Sequence, residues 1–550
     1  MSENNATAQG GHVQMTHKQI TTVMIGLMTG LLLAALDQSI VSTALKTITV
    51  DLGGLKHYTW VVTAYLLTST ASTPLYGKIS DLYGRRQVFQ FAIVVFLLGS
   101  FASGIATNMN ELIAARAFQG LGAGGLMSLT FVIIGDVVSP RERGRYQGYF
   151  GAVWGLATVA GPLLGGFFSD HHHVLGITGW RWIFYINLPF GIIALAVTSA
   201  VLHIPKVVRP HKIDYLGAFI LVVAVSVLLL GISVFAPEDG WLKAKTLLWI
   251  GGGLVLFALF LVNQARAEEP ILPLRLFKNH TFSITSILAF LVGAAMFGAI
   301  VMLPLYFQLV KGNSATLSGL KLLPLMFGIV STSIFTGKWI TKHGKYKAFP
   351  VIGMVFMTAA LLLMGTLTET TPYWRLSIFA ILLGAGLGMC LQNLVIALQN
   401  ALEIRDMGIG TSLNTFWRSI GGTLGVAIFG SIYASKLATY SKSNWIALVK
   451  KVEQTDPHTA QILMNKNTLK SISADPSLIH NVKVIPQVVQ GQVQQAMAHS
   501  DVQAFHIVFF SAAPVTLIGV VIALMLKATP LKTGAQHAQA MKEAAGEALG

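Results

Sequence analysis

The chain has 550 residues, of which 53% are apolar and 11% charged, whereas about 25% of the residues of a soluble domain are charged. This composition excludes an ordinary soluble protein and places most of the chain in lipid. The formal charge of +16 does not indicate nucleic-acid binding, because the basic residues lie in short connections between apolar runs and form no continuous basic face.

Fourteen apolar runs are long enough to cross a bilayer as helices, since its hydrocarbon core needs about 20 apolar residues. The predicted spans are 20–45, 58–77, 87–106, 112–135, 146–168, 182–203, 215–235, 246–264, 282–307, 317–341, 349–367, 374–400, 408–434 and 504–526. The first run exceeds a signal-peptide core, so we expect it to be retained. The predicted fold class is an all-α polytopic membrane protein.

The spans divide into two sets of six around an extra central pair. Gly77-Lys78 at the end of the second span recurs as Gly337-Lys338 at the end of the tenth, as expected for two homologous bundles. The expected domains are a tail (1–19), a six-helix bundle (20–204), two extra helices with linkers (205–281), a second bundle (282–526) with an outer segment (436–503), and a tail (527–550).

Loop charges predict the orientation of the chain. With the amino terminus in the cytoplasm, the short inward loops carry 17 Lys and Arg and the short outward loops seven. Basic loops stay inside, so both termini are expected to be cytoplasmic in a multi-pass protein of the plasma membrane.

Asp37 is the carboxylate that lies deep in a predicted span. A charged group there costs about 2.5–3.5 kcal/mol on insertion scales, and such residues are functional by default. The Asp37 carboxylate could bind either a proton or a cation, and the two would then compete for it. The alternative is a structural acceptor that ties two helices together.

Arg116 lies in the fourth span at a depth similar to that of Asp37, with Gln119 one turn further on. The two charged groups could pair directly or through water, or Arg116 could instead snorkel outward. In the second bundle Gln392, Asn414 and Arg418 are candidate ligand contacts, although amides there are as often helix-packing groups.

The fifth span is rich in small residues, namely Gly155, Gly161, Pro162, Gly165 and Gly166. Glycine allows close helix approach and proline favours a kink, so this segment predicts a hinge or a tight seam between the bundles. Ordinary packing of membrane helices remains the alternative.

Two loops on the predicted cytoplasmic side carry opposite charges that could latch an inner gate. The alternative is that the basic residues only set the topology. The candidates are Gly77, Asp81, Gly84, Arg85, Arg86, Asp136 and Arg143.

Several motifs are missing from the sequence. There is no phosphate-binding Gly-x-x-x-x-Gly-Lys-Ser/Thr loop, so a proton gradient is the expected energy source and no cofactor is predicted. The single cysteine, Cys390, permits no intramolecular disulfide. His171–His173 lack metal-ligand spacing, and no catalytic pattern stands out.

The motifs together resemble the fourteen-helix drug/proton antiporters of the major facilitator superfamily, of the EmrB and QacA type. The resemblance rests on Leu-Asp-x-Ser-Ile-Val around Asp37, the segment 77–86, the segment 116–120, Gly-Pro-x-x-Gly-Gly at 161–166 and Trp-Arg-Trp-Ile-Phe-Tyr-Ile-Asn-Leu-Pro at 180–189. It implies that Asp37 recognises a proton or cation, that Arg116 takes part in proton transfer, and that the fifth span shapes the exchanging seam.

The expected function is therefore proton-coupled efflux of small amphipathic or cationic compounds by alternating access. The expected partners are those small molecules, protons and the lipid bilayer. Export of a specific metabolite, lipid or antibiotic on the same fold is the first alternative. A non-transporting sensor or scaffold, supported only by the segment 436–503, is the second.

Overall fold

The computed structural model describes residues 17–52, 58–138, 140–171, 173–202, 214–403, 406–463, 486–528 and 530–531. Most of both predicted tails and residues 464–485 of the predicted outer segment lie outside these ranges. So do His172 and several basic residues of the loop-charge count, namely Lys56, Lys206, Arg209, Lys212 and Arg405.

Long helices account for nearly all of the described chain. They are α1 (His17–Asp51), α2 (Tyr58–Tyr83), α3 (Arg85–Ile105), α4 (Met109–Val137), α5 (Pro140–Asp170), α6 (Asn187–Val201), α7 (Tyr215–Leu230), α8 (Ala244–Arg266), α9 (His280–Leu309), α10 (Leu323–His343), α11 (Ala348–Met364), α12 (Tyr373–Ala401), α13 (Met407–Glu453) and α14 (Gln487–Leu524).

Short elements lie between the long helices. The strands β1 (His173–Val174) and β2 (Ile177–Thr178) pair antiparallel after α5, with His173 opposite Thr178. The remaining elements are the single turns Gly179–Arg181 and Leu274–Lys278, the π-helical turn Gly231–Phe235, and the short helices Trp182–Tyr185, Ala236–Asp239, Ala315–Leu320 and Pro457–Leu463.

Every predicted span falls on a helix. Within the described ranges, 11 helical segments are long and apolar enough to cross a membrane, and α7 and α11 are shorter apolar helices. The remaining predicted span is α2, which is rich in buried Ser and Thr. Thr73, for example, donates its hydroxyl to the carbonyl oxygen of Ser69 at 2.8 Å, so the polar groups of α2 are satisfied within the helix.

Two large apolar clusters occupy separate halves of the protein. The first lies mainly among α1–α6 and includes Leu27, Phe89 and Ile133. The second lies among α9–α14 and includes Leu325 and Phe505. We call these two groups of helices the first half and the second half.

The extra pair α7 and α8 packs beside the junction of the halves. The two helices contact each other, and α7 also contacts α2. Leu221 and Val225 of α7 share an apolar cluster with Phe282 of α9 and Leu413 of α13. This pair therefore touches both halves from one side.

Two helices extend far beyond their predicted spans, which end at 434 in α13 and begin at 504 in α14. The 47 residues of α13 measure about 70 Å at 1.5 Å per residue, more than twice the hydrocarbon thickness. Trp445 and Val452 of α13 pack against Val493 and Met497 of α14. The helices therefore continue beyond the predicted spans, because this second apolar contact stabilises helix in a polar stretch.

Candidate functional site

A buried ion pair lies at the centre of the first half. Arg116 of α4 donates from Nη1 to Oδ2 of Asp37 on α1 at 2.6 Å, and the two side chains are 1% and 0% exposed. The same Nη1 donates to Oε1 of Gln119 at 2.6 Å, while Nε2 of Gln119 donates to Oδ1 of Asp37 at 2.9 Å. The three residues therefore form a closed triangle, and Arg116 does not snorkel outward.

Asn187 and Ser100 complete this network, although the sequence motifs indicated a role for neither side chain. Nδ2 of Asn187 donates to Oδ1 of Asp37 at 3.1 Å and to Oγ of Ser100 at 2.9 Å. Asp37 thus accepts from α4 and α6 at once and ties both helices to α1. The sequence signal for Asn187 is that it is a lone amide in an apolar span, within the 180–189 motif.

Aromatic rings seal the guanidinium group of Arg116. Its Cζ lies 4.1 Å from the ring centroid of Tyr65 and 5.8 Å from that of Phe184. Such stacking stabilises a desolvated cation by about 0.5–2 kcal/mol. The Asp37 carboxylate is therefore both hydrogen-bonded and shielded in this conformation, so a bulky ligand cannot reach it without a rearrangement.

The segment before α6 is anchored so that Asn187 reaches Asp37. Trp180 donates from Nε1 to Oδ2 of Asp51 at 2.7 Å, which joins this segment to the end of α1. Arg181 donates to the carbonyl oxygens of Gly104 and Ala106 at 2.6 and 2.8 Å, at the end of α3. These bonds hold the start of α6 against α1 and α3.

The glycines of α5 face two different partners. A Cβ built on Gly161 would lie 2.1 Å from Oγ of Ser39, and one on Gly165 would lie 2.0 Å from Oγ1 of Thr43, both on α1. Ser39 also donates its hydroxyl to the carbonyl oxygen of Ala157 at 2.8 Å. This face of α5 forms a tight seam within the first half, the α1–α5 seam.

A second face of α5, about 100° around the helix, contacts the second half. A Cβ on Gly166 would lie 2.5 Å from Oγ1 of Thr316, and a Cβ on Gly319 would meet the Pro162 ring at 2.5 Å. Gly155 faces Val330 of α10 with more room, at 3.3 Å. One helix therefore links the α1–α5 seam to the interface between the halves.

The predicted gate residues meet where α2 ends and α3 begins, which we call the Arg85 end. Arg85 bridges two carboxylates, with Nη1 2.5 Å from Oδ1 of Asp81 and Nε 2.7 Å from Oδ2 of Asp136. It thereby joins the end of α4 to the end of α2. Gly84 has a φ of 96°, a conformation that favours glycine, and it sets the sharp turn between α2 and α3.

The start of α13 closes over this cluster. A Cβ on Gly77 would lie 2.6 Å from Oγ of Ser412, and one on Gly408 would lie 2.5 Å from Oδ1 of Asp81. Nε2 of Gln399 on α12 donates to the carbonyl oxygen of Phe131 on α4 at 3.1 Å. The two halves therefore touch closely at the Arg85 end.

Two of the predicted gate arginines bind elsewhere. Arg86 donates to the carbonyl oxygen of Ser199 on α6 at 2.5 Å. Arg143 donates to the carbonyl oxygens of Gly135 and Val138, at the end of α4, and its Nη2 lies 3.8 Å from Sδ of Met407. Arg86 therefore contacts α6 within the first half, whereas Arg143 binds the end of α4, where carbonyl oxygens attract cations, and also touches Met407 of the second half.

We predict that neutralising Arg85 opens the Arg85 end. In a Cys390→Ser background, a cysteine at Ser412 would report on this contact, because Ser412 is buried against Gly77. Adding Arg85→Gln removes both ion pairs, and a loss of about 1.4 kcal/mol shifts a two-state equilibrium tenfold. Labelling by an impermeant maleimide should accelerate by about that factor.

The matched control is Arg86→Gln, which removes a neighbouring charge whose partner Ser199 lies in the same half. It should leave the labelling rate of the Ser412 cysteine near that of the parent. Equal acceleration by both substitutions would contradict a specific role for the Arg85 cluster.

Polar candidates of the second half do not converge on the Asp37 network. Asn414 donates from Nδ2 to the carbonyl oxygen of Thr285 at 3.2 Å, which is a helix-packing contact. Gln392 is 4% exposed, and its Oε1 has no hydrogen-bond partner among the described residues. Arg418 stacks over Phe131 of the first half, with its Cζ 5.4 Å from the ring centroid.

No cluster of three or more His, Cys, Asp or Glu suited to a metal ion occurs in the part of the chain that the structure describes. His171 is described, and its Nδ1 contacts the carbonyl oxygen of Phe167 at 2.7 Å.

Two halves of membrane helices, joined through α5 and α13 and containing a buried ion pair, define a polytopic membrane protein of the transporter type. Comparison with known proteins agrees, since residues 27–426 match the family described as the Major Facilitator Superfamily. The chain belongs to this superfamily, which points to a membrane transporter and not to an enzyme.

Relatives with transporter names cover most of the chain. It is 34% identical over 543 residues to the multidrug transporter protein MdtP of Bacillus subtilis, covering 96% of this chain and 97% of that protein. Multidrug resistance protein 3 of the same organism is 38% identical over 419 residues, covering 76% and 80%. An uncharacterised MFS-type transporter of Mycobacterium tuberculosis is 37% identical over 511 residues, covering 92% and 70%.

Solved structures share the fold at low identity. The proton:xylose symporter XylE aligns with a TM-score of 0.57 and 13% identity, covering 96% of this chain and 99% of that one. The human organic anion transporter MFSD10 aligns with a TM-score of 0.55 and 15% identity, covering 93% and 100%. The superfamily and its fold, predicted from the sequence, are thereby confirmed, while the drug/proton subfamily stays a prediction.

Proposed function

We propose that this chain is a proton-coupled antiporter that exports small amphipathic compounds across the plasma membrane. The observation that carries the proposal is the Asp37 network, a buried carboxylate that holds α1, α4 and α6 together through Arg116, Gln119 and Asn187. The efflux direction is supported by the relatives named multidrug transporter and multidrug resistance protein.

Protonation of Asp37 would weaken its bonds to three donors and leave the Arg116 charge without its partner. Both effects loosen α1 from α4 and α6. Because α1 packs on Gly161 and Gly165 of α5, a movement of α1 would reach α5, whose other face contacts the second half. The carboxylate could thereby bias a two-state rearrangement of the halves, as proton coupling requires.

The Arg85 end is proposed to face the cytoplasm, with both termini on the same side. The excess of Lys and Arg in the loops at this end supports that orientation. The close contacts of Gly77 with Ser412 and of Gly408 with Asp81 support a conformation closed to the cytoplasm. Substrate would then leave, and a proton enter, from the opposite side.

The experiment is uptake into inside-out membrane vesicles, in which export appears as accumulation in the lumen. We expect an acid lumen to drive uptake of amphipathic dyes, and a protonophore to abolish it. Addition of a substrate should also release lumenal protons, visible with a pH-sensitive probe. Uptake that is indifferent to the pH gradient would refute proton coupling, and absence of uptake across a broad dye panel would refute export.

A further inference from the structure

Arg418 is a cation at the interface of the two halves. Its backbone packs on α9, where a Cβ built on Gly293 would lie 2.1 Å from the carbonyl oxygen of Arg418. Its side chain extends to α4 of the first half and stacks on Phe131, which is 2% exposed. The side chain of Arg418 itself remains partly exposed.

The Arg418 guanidinium has no anionic partner among the residues that the structure describes. In that part of the chain it makes neither an ion pair nor a hydrogen bond, and it stacks on Phe131 with its Cζ 5.4 Å from the ring centroid. Arg116, by contrast, has Asp37 in addition to its aromatic stack. An intramembrane cation is costly and normally paired, so an unpaired one marks a place where a ligand can supply the counter-charge.

Gln392 lies at the same depth as Arg418. Helices α12 and α13 run antiparallel, and Nε2 of Gln399 donates to Oγ1 of Thr411 at 3.3 Å. Gln392 precedes Gln399 by seven residues, and Arg418 follows Thr411 by seven. Seven residues are about two helical turns, so Gln392 and Arg418 lie at similar depths, each on the same face of its helix as the bonded residue. The buried Oε1 of Gln392 has no partner in the described chain, and its amide can turn to donate to an anion.

Asp37, the carboxylate that lies deep in the first half, does not offer a site for a cationic substrate in this conformation. Asp37 is 0% exposed and accepts hydrogen bonds on both oxygens, from Arg116, Gln119 and Asn187. Arg418, by contrast, is partly exposed at the interface of the halves and carries a positive charge.

We infer that Arg418, assisted by Gln392, binds a carboxylate or sulfonate of the exported compounds, so that the preferred substrates are amphipathic organic anions. This inference rests on the proposed export function and replaces the cationic preference expected from the sequence. A planar guanidinium binds such oxyanions through paired hydrogen bonds.

The test compares two dyes that share a rhodamine core and differ in charge, the anionic sulforhodamine B and the cationic rhodamine 6G. Uptake into inside-out vesicles is measured by filtration for the parent, Arg418→Gln and Arg418→Lys. We expect the parent to accumulate sulforhodamine B, Arg418→Gln to reduce this uptake at least tenfold with rhodamine 6G uptake unchanged, and Arg418→Lys to retain most of it.

The matched control is Arg375→Gln. Arg375 also stacks on a phenylalanine, with its Cζ 5.6 Å from the Phe379 centroid, but it is exposed at the start of α12. It should leave both dyes unaffected. Parent uptake of rhodamine 6G alone, or equal loss of both dyes in Arg418→Gln, would overturn the inference while export stands. Uptake of neither dye would overturn the inference together with export of such dyes.

Discussion

Asp37→Asn is expected to abolish proton-driven uptake in inside-out vesicles while the protein remains in the membrane. Asparagine cannot take up and release a proton, so the imposed pH gradient has no group through which to act. The substitution also leaves Arg116 buried without a counter-charge, and breaking a buried pair costs about 3–5 kcal/mol of stability. Uptake and the thermal midpoint of the purified protein are both measured.

A double variant separates coupling from stability. Arg116→Gln alone should also lower the midpoint, because it leaves the buried Asp37 carboxylate unpaired. The double variant Asp37→Asn/Arg116→Gln removes both charges. Its loss of unfolding free energy should be smaller than the sum of the two single losses, and the difference should be about 0.5–3 kcal/mol. Transport should stay absent in all three variants.

Proton-driven uptake by Asp37→Asn at the parental rate would contradict the coupling role of Asp37. Additive losses of stability in the double variant would contradict direct pairing of Asp37 with Arg116. Glutamate at position 37 serves as a conservative control, since it keeps an ionisable group and should retain some gradient dependence if the network can adjust to its length.

Gly165→Ala is expected to disrupt the α1–α5 seam. The added methyl would lie 2.0 Å from Oγ1 of Thr43 and 2.7 Å from the carbonyl oxygen of Ile40, and the backbone atom cannot rotate away. Overpacking of this kind costs about 1–3 kcal/mol. Since α5 also contacts the second half, we expect loss of most transport together with a lower thermal midpoint.

Gly155→Ala is the matched control on the same helix. Its methyl would meet Cγ2 of Val330 at 3.3 Å, an atom that can rotate away, and Cβ of Met326 at 3.5 Å, which is an ordinary van der Waals distance. Transport and stability should remain near those of the parent. Similar losses in Gly155→Ala and Gly165→Ala would mean that helix flexibility, and not the seam, explains the glycines of α5.

Much of the fold follows from local sequence, because a bilayer requires each crossing segment to satisfy its backbone internally as a long apolar helix. Every predicted span falls on a helix, while α13 and α14 continue beyond their predicted spans, where Trp445 packs against Val493. The motifs identified the superfamily, and similar depths brought Asp37 and Arg116 together as candidates for pairing.

The sequence by itself determined the helices, their predicted orientation and the residues too costly to bury in lipid without a reason. Only the tertiary structure decided that Asn187 completes the Asp37 network, that the α5 glycines face two partners, and that Arg418 has no counter-charge within the described chain. The physical reason is the rotation of side chains around each helix. Each residue turns about 100° around its helix axis, so the partner of a side chain depends on which helix stands beside that face, and no local pattern encodes the neighbour.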